Sequence, residues 1–314
     1  MRNILVTGGA GFIGSNLTLA LQALHPDAAI VVVDDFRSGN FKNLQGFRGD
    51  FVAADVSRLD WNAQFKDLSF DAIFHEASIT DTTVHDQFLQ AHDNIEGFRR
   101  LLDFAAPNQT PVVYASSAAT YGIAAGVNRE GQTPAPANIY AFTKVQLDNL
   151  ARARARLQPS WRVVGVRYFN VYGPNETHKG AAASMIYQLY TQMKAGRRPR
   201  VFKQGEHKRD FVYVKDVVAL TLRAVQAPRS TVYNCGSGHP VSFNEVIEAL
   251  NKELGTNLPP DYFDNPYGSF YQPHTEADMS LAREELGFTP AFTPVTGIPD
   301  YVRTLEGRGG QVGA

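Results

Sequence analysis

Thr7-Gly8-Gly9-Ala10-Gly11-Phe12-Ile13-Gly14 is the stretch on which the reading of this chain turns. It follows the apolar run Ile4-Leu5-Val6 and opens a helical pattern. Gly9, Gly11 and Gly14 make a G-x-G-x-x-G spacing. In such a motif the first glycine permits a tight strand-to-helix turn. The second lets the backbone approach a pyrophosphate, and the third lets the helix pack closely on the strand. The helix start adds free N–H groups and the positive end of a dipole. Alone the motif is weak, because an ordinary glycine turn before a helix has the same letters. Its surroundings add weight. The next apolar run, Ile30-Val31-Val32-Val33, ends on Asp34, twenty residues after Gly14. An acid there meets the hydroxyls of an adenosine ribose. Strand, glycines, helix, strand and acid in that order define a Rossmann-type dinucleotide site.

Outward from this unit, a helix is expected over Phe12–Leu24, with Ile13, Leu17, Ala20, Leu21 and Leu24 on one stripe and Pro26 after its end. Further strands are expected at Phe51-Val52-Ala53, Ala72–His75, Val112–Ala115 and Val163–Tyr168. Helical spacing runs from about Gln87 through Asn94 to Leu102, and from about Tyr140 to Leu157. Apolar strands alternating with helices predict an α/β fold, a doubly wound parallel sheet with helices on both faces. After Asn170 the rhythm breaks. Helices are expected at about Ala183–Ala195, Val217–Val225 and Phe243–Leu254, a strand at Val232–Cys235, and strand and loop over Arg200–Val214. Pro259–Pro273 reads as an aromatic loop. The expected division is a dinucleotide-binding domain over 1–172 plus about 211–237. A smaller interleaved substrate domain would take about 173–210 and 238–306, with residues 307–314 a disordered tail.

The bulk composition narrows the function. The chain has 314 residues and a net charge of −1, so nothing global favours nucleic acid or a membrane surface. No apolar run reaches the length of a bilayer span. No secretory leader is read, since Met1-Arg2-Asn3 leads straight into a strand. The single cysteine, Cys235, forms no internal disulfide and fits a reducing cytoplasm. His75, His85 and His92 lack zinc-site spacing, so no metal is expected, and His75 reads as a packing histidine.

Chemistry is expected from two groups. Tyr140 and Lys144 lie one helical turn apart on one face. A tyrosine with pKa about 10 is a poor base at neutral pH. A neighbouring ammonium favours the phenolate and lowers that value, and Lys144 can also hold a ribose hydroxyl. Ser116 and Ser117 end the strand beside this helix, and one of the two can bind the substrate oxygen. A lone Y-x-x-x-K would be a half-exposed tyrosine and a solvated lysine. After the glycine fingerprint and a serine pair it reads as an acid/base pair. After the third expected strand, Phe51-Val52-Ala53, Asp55-Val56 is a place where a short acid meets an adenine amine.

With these residues in place the chain resembles the extended short-chain dehydrogenase/reductases that act on nucleotide sugars. The resemblance covers nearly the whole chain. It rests on Thr7–Gly14, Ser116-Ser117-Ala118-Ala119-Thr120-Tyr121-Gly122, Tyr140/Lys144, Arg167-Tyr168-Phe169-Asn170-Val171-Tyr172-Gly173-Pro174 and Arg209-Asp210-Phe211-Val212-Tyr213-Val214. Dehydratases of that family carry an acid pair where this chain has Ala118 and Ala119, so the resemblance implies an epimerase. A narrower likeness, in Phe74-His75-Glu76-Ala77, Asn175–Gly180 and Gly268-Ser269-Phe270-Tyr271-Gln272, is to the branch that inverts C6 of an ADP-activated heptose.

By that resemblance Tyr140 and Lys179 are acid/base groups on opposite sides of the sugar. Ser116, Asn170, Phe202, Arg209 and Tyr271 would hold the nucleotide sugar. Gly8, Gly11, Phe12, Ile13, Gly14, Asp34, Asp35, Arg37, Asp55, Val56, Glu76, Ala77, Asn94, Val171, Tyr140 and Lys144 would hold a tightly bound NADP or NAD. A homo-oligomer is also implied. Lys179 by itself reads as a solvated loop lysine, and Arg209 beside Asp210 reads equally well as a structural ion pair. The cofactor stays open. Asp34 is followed by Asp35, and two acids disfavour a 2′-phosphate, whereas Arg37, Lys42 and Arg58 are near enough in sequence to compensate. A 4-epimerase of a UDP-hexose is the nearest rival, and a nucleotide-sensing protein without catalysis is the rival of another kind.

Overall fold

A computed structural model describes residues 1–80, 86–123, 126–265 and 272–308. The chain begins with β1 (Asn3–Thr7), α1 (Phe12–Leu24), β2 (Ala29–Asp34), β3 (Asp50–Ala53), α2 (Trp61–Gln64) and β4 (Ala72–His75). It continues with α3 (Gln87–Ala105), β5 (Val112–Ser117), β6 (Val127–Asn128), α4 (Ile139–Leu157), β7 (Val163–Tyr168) and β8 (Asn170–Tyr172). Then come α5 (Met185–Lys194), β9 (Arg200–Phe202), β10 (Lys208–Arg209), β11 (Phe211–Tyr213), α6 (Val214–Ala224) and β12 (Val232–Cys235). The last elements are β13 (Val241–Ser242), α7 (Phe243–Leu254), β14 (Asp261–Phe263), β15 (Glu276–Ala277), α8 (Ser280–Leu286) and α9 (Pro294–Leu305).

Seven strands form one parallel sheet in the order β12-β7-β5-β4-β1-β2-β3. The chain winds outward from β1 in one direction through β2 and β3, and in the other through β4 and β5. An open sheet binds its ligand at that reversal, outside the strand C-termini. Strand pleating explains the core. Ile4, Val6, Ile30, Val32 and Phe74 point to one face, against Leu17 and Leu21 of α1 and Val217 and Leu220 of α6. Leu5, Val31, Val33 and Ile73 point to the other, against Phe98, Leu101 and Leu102 of α3 and Leu147 of α4. Strands buried on both faces read as continuous apolar runs. A third core joins Tyr172, Ile186 and Leu189 to Val246 and Leu250 of α7 and Ile298 and Tyr301 of α9. No helix among the described residues is long and apolar enough to cross a membrane.

Several boundaries move from expectation. Helix α6 begins at Val214, three residues before the expected start, directly on the end of β11. Helix α5 is shorter at both ends, with Ser184 capping it through the N–H of Tyr187. Gly307 and Arg308, expected in a disordered tail, close the last turn, where the Arg308 N–H donates to Arg303 C=O at 2.8 Å. The rest of that tail, together with His85 and Tyr271, lies outside the described residues.

Candidate active site

The glycine turn is built by close contacts. Gly8 has φ +70°, and a Cβ there would lie 2.5 Å from the Ala77 backbone nitrogen. Gly8, rather than Gly9, is therefore the residue that needs glycine's left-handed freedom. A Cβ on Gly14 would lie 2.1 Å from the Gly8 carbonyl oxygen, so the helix can start here only with glycine at that position. Gly11 caps α1 without a side-chain acceptor, and the first turn holds no acid. The helix start thus keeps free N–H groups and a positive dipole end for an anion.

Around the turn the predicted acids take separate tasks. The Asp34 carboxylate accepts the N–H of Ala10 at 2.9 Å and of Phe36 at 2.8 Å, tying β2 to the turn. Burial raises its pKa, with both backbone bonds opposing. Asp55 accepts the N–H and hydroxyl of Ser57 at 2.8 and 2.7 Å. Burial pushes its carboxyl up, but the Ser57 bonds and the Arg37 charge outweigh that and lower it. Arg37 is held by three carboxylates: Asp35 at 2.9 Å, Asp55 at 3.0 Å and Asp93 at 2.6 Å. Arg58 lies 3.6 Å from Asp55. Asp93, buried on α3, was not read from the sequence, where it is only the residue before Asn94. Asn94 is also buried. Its amide accepts the Ile79 N–H at 2.8 Å and donates to the Thr143 hydroxyl at 3.1 Å, so it fixes the segment after β4 against α4.

The catalytic candidates meet where β5 ends against α4. Lys144 is 1% exposed and donates to the Ala115 carbonyl at 2.8 Å, with its ammonium 5.7 Å from the Tyr140 ring centroid. Burial lowers its pKa to about 8, against the Glu76 and Asp148 charges. Tyr140 differs from expectation. Its phenol is shifted up rather than down, because burial on the cleft floor disfavours the phenolate, although a hydrogen bond with Ser117 works the other way. The Ser117 hydroxyl also accepts the Ala119 N–H at 3.1 Å. The Ser116 hydroxyl, on the same strand end, is buried with no hydrogen-bond partner among the described residues. A buried orphan hydroxyl on a cleft wall fits a bound polar atom. Glu76 accepts the Tyr168 O–H at 2.9 Å, and burial raises it to about 7, opposed by that bond and by Lys144. His75 bonds the Thr7 hydroxyl at 2.8 Å, stacks 5.2 Å from Phe98 and stays neutral, pushed down to about 3 by burial.

Facing these groups are the residues after β8 and those of β10 and β11. Lys179 is half-buried, 5.6 Å over the Phe12 ring, and burial lowers its pKa against the pull of Glu176. Asp210 is fully engaged. It accepts the N–H and hydroxyl of Ser237 at 2.6 and 2.7 Å, the Gly238 N–H at 3.0 Å and the Ala277 N–H at 2.9 Å. Those four donors fill its lone pairs, so the carboxylate organises backbone rather than the neighbouring guanidinium. Arg209 lies on the cleft wall, 6.0 Å over the Phe243 ring. Phe243 at the start of α7, which also walls the cleft, was not foreseen. Asn170 and Val171 line the cleft, as do Ile13, Val56 and Ala77. Phe202 packs edge-on to Phe263 at 4.9 Å. One continuous cleft of about 930 Å³ runs from the glycine turn to Arg209, at the upper end of the range for ligand sites. Among the described residues no group of three or more His, Cys, Asp or Glu side chains is placed to hold a metal ion.

A glycine turn at the sheet's reversal, an acid ending β2, and serine, tyrosine and lysine converging on one strand end define the class of short-chain dehydrogenase/reductases. The pattern described as the NAD dependent epimerase/dehydratase family matches residues 4–236, and the chain belongs to that family. It is 35% identical to the ADP-L-glycero-D-manno-heptose-6-epimerase of Brachyspira hyodysenteriae, over 98% of this chain and 99% of that one. The crystal structure of the Helicobacter pylori ADP-L-glycero-D-manno-heptose-6-epimerase superposes with a TM-score of 0.89 at 38% identity, covering 97% of this chain and 96% of that one. A UDP-glucose 4-epimerase from Thermotoga maritima reaches the same TM-score, 0.89, at 27% identity over 98% and 99%. The chain is thus a nucleotide-sugar epimerase by kinship, while backbone shape alone does not choose the sugar carbon.

Proposed function

We propose that this protein is a 6-epimerase of an ADP-activated glycero-manno-heptose. The observation that carries the reading is Lys179. It stands in the same cleft as Tyr140, and burial lowers its pKa, which a lysine needs to act as a base near neutrality. Inversion at an exocyclic carbon needs proton transfer at two positions of one oxygen, before and after rotation about the C5–C6 bond. A second proton-transfer group answers that need, whereas a 4-epimerase can flip the whole ring before a single tyrosine.

In this reading Ser116 binds the sugar oxygen and Tyr140 takes or returns its proton on one side. Lys179 does so on the other, and Arg209 binds the substrate pyrophosphate, where a guanidinium fork is favoured. Lys144 holds a ribose hydroxyl beside Tyr140. A nicotinamide dinucleotide held by the glycine turn and Asp34 would supply reversible hydride transfer at the sugar carbon. The sheet and its glycine turn carry the dinucleotide, and the elements of the third core carry the nucleotide sugar.

NAD is the dinucleotide we infer. Asp34, Asp35, Asp55 and Asp93 surround this end of the cleft, and Arg37, a cation that a 2′-phosphate would need, is already held by three of them. We further infer a cytoplasmic homo-oligomer. Phe88 on α3 and Phe142 on α4, exposed by 77% and 43%, leave apolar area for a second copy. Incubation with the two ADP-heptose epimers and with UDP-glucose and UDP-galactose, followed by NMR of the products, tests the reaction. Conversion of the heptose pair alone is expected, and conversion of the UDP-hexoses alone would replace it with the 4-epimerase reading.

A further inference from the structure

The loop over residues 173–184, which carries Lys179, is tied to the cofactor cradle. Glu176 is fully buried and closes the loop on itself. Its carboxylate accepts the Gly173 N–H at 3.1 Å, the Ser184 N–H at 2.5 Å and the Ser184 hydroxyl at 2.9 Å. Three bonds then run outward to the first strand–helix unit. Asn16 donates to the Pro174 carbonyl at 2.9 Å, and Asn175 donates to the Ser15 hydroxyl at 3.1 Å. The third joins the Asn43 amide nitrogen to Nδ1 of His178 at 3.1 Å.

The third bond reaches deepest into the cradle. The same Asn43 nitrogen donates to the Ala10 carbonyl at 3.0 Å, inside the glycine turn, which also settles which end of the amide is the nitrogen. That nitrogen only donates, so Nδ1 of His178 accepts, and the imidazole is the neutral tautomer with its proton on Nε2. Burial favours the neutral ring and Lys179 adds to it, while backbone bonds at Ser38 and Asn175 and the charge of Asp34 oppose. Ala10 is in turn held by Asp34 through its N–H. A continuous chain of contacts therefore runs from Asp34 through Ala10 and Asn43 to His178, the residue before Lys179.

We propose that His178 is a positioning residue that couples occupation of the dinucleotide cradle to the placement of Lys179 over the sugar. The inference rests on the reading of Lys179 as the second proton-transfer group. A dinucleotide that presses on the glycine turn and Asp34 holds Ala10 and Asn43 in place, and these fix the imidazole and the loop behind it. By linkage, an ordered loop also favours the bound dinucleotide.

The test is hydrogen exchange of the 174–183 segment in holoprotein and in protein stripped of its dinucleotide, for wild type, His178→Leu and His178→Gln. Adding NAD is expected to slow exchange of this segment in wild type. His178→Leu should abolish that slowing while residues 8–15 stay protected. His178→Gln offers an oxygen to Asn43 and should restore it. In turnover, His178→Leu should lower kcat about tenfold or more with KM for the nucleotide sugar nearly unchanged, as expected for a misplaced group, and His178→Gln should recover most of it. If His178→Leu does not fold, His178→Phe replaces it. Undiminished NAD-dependent slowing in the apolar variant, or equal loss in the glutamine variant, would overturn the coupling. Loss of slowing together with full activity of Lys179→Met would keep the coupling and remove the two-base reading instead.

Discussion

The ammonium of Lys144 donates to the carbonyl oxygen of Ala115 at 2.8 Å, and this bond fastens the helix that carries Tyr140 to the strand that carries Ser116. It also spends one donor of Lys144 on the scaffold, leaving two to face the cleft. The phenol of Tyr140 meanwhile is pushed up by burial, so proton transfer from it depends on the ligands that enter the cleft. Tyr140→Phe removes the phenolic oxygen and keeps the ring. A rate loss of about a hundredfold to ten-thousandfold is expected, with NAD affinity retained by calorimetric titration. Turnover close to wild type would show that another group moves the proton.

Glu76 supplies a pH test. Burial raises its carboxyl from 4.5 to about 7, so between those values the folded chain keeps a proton that the unfolded chain has lost. The stability from this group is fully present below about 4.5 and is lost as pH rises through 7. Glu76→Gln keeps the neutral shape and removes the titration. In protein stripped of dinucleotide, the melting temperature of Glu76→Gln relative to wild type should therefore climb from pH 5 to pH 8. His75 is present in both proteins and cancels in the difference. A flat difference across that range would mean that Glu76 ionises normally.

Much of this architecture was legible because strands buried on both faces leave unbroken apolar runs. Ala72–His75, Val163–Tyr168 and Val232–Cys235 fall where the sequence puts them, as does helix Phe243–Leu254. Helix α9 was not read, since Pro294 and Pro299 look like breakers. Pro294 occupies the first turn, where no N–H is required, and Ile298, Tyr301 and Val302 bury one face in the third core. The glycine turn was legible as a motif, but its left-handed residue is Gly8 and not Gly9. Contacts across the fold were out of reach. Arg37 meets Asp93 from 56 residues away, and Asn43 meets His178 from 135, and no local spacing encodes either.

The Arg37 cage makes the cofactor choice testable. Wild type is expected to bind NAD at least tenfold more tightly than NADP, about the scale of one charge-assisted hydrogen bond or one removed repulsion. Asp35→Ser removes one acid and releases one side of Arg37, so NADP should gain affinity while NAD changes little. Fluorescence titration of both dinucleotides against both proteins measures this. Equal affinity of wild type for the two would show that the caged guanidinium still serves a 2′-phosphate.

Lys179→Met separates the two epimerase readings most sharply. The substitution keeps the side chain's length and its packing over Phe12 and removes the ammonium. If C6 is the reacting centre, its oxygen lies on opposite sides before and after bond rotation, and Tyr140 alone reaches one of them. The variant should then lose epimerisation while NAD and the nucleotide sugar still bind. In single-turnover traces of nicotinamide absorbance, oxidation of the epimer served by Lys179 should slow by about a hundredfold or more, the usual scale for loss of an acid/base group. Oxidation of the other epimer should persist through Tyr140. Such an asymmetry is not expected of a loop lysine that only binds phosphate, which would weaken both epimers alike. Epimerisation within tenfold of wild type would remove Lys179 from the chemistry and leave a single tyrosine serving a ring that turns over in the site.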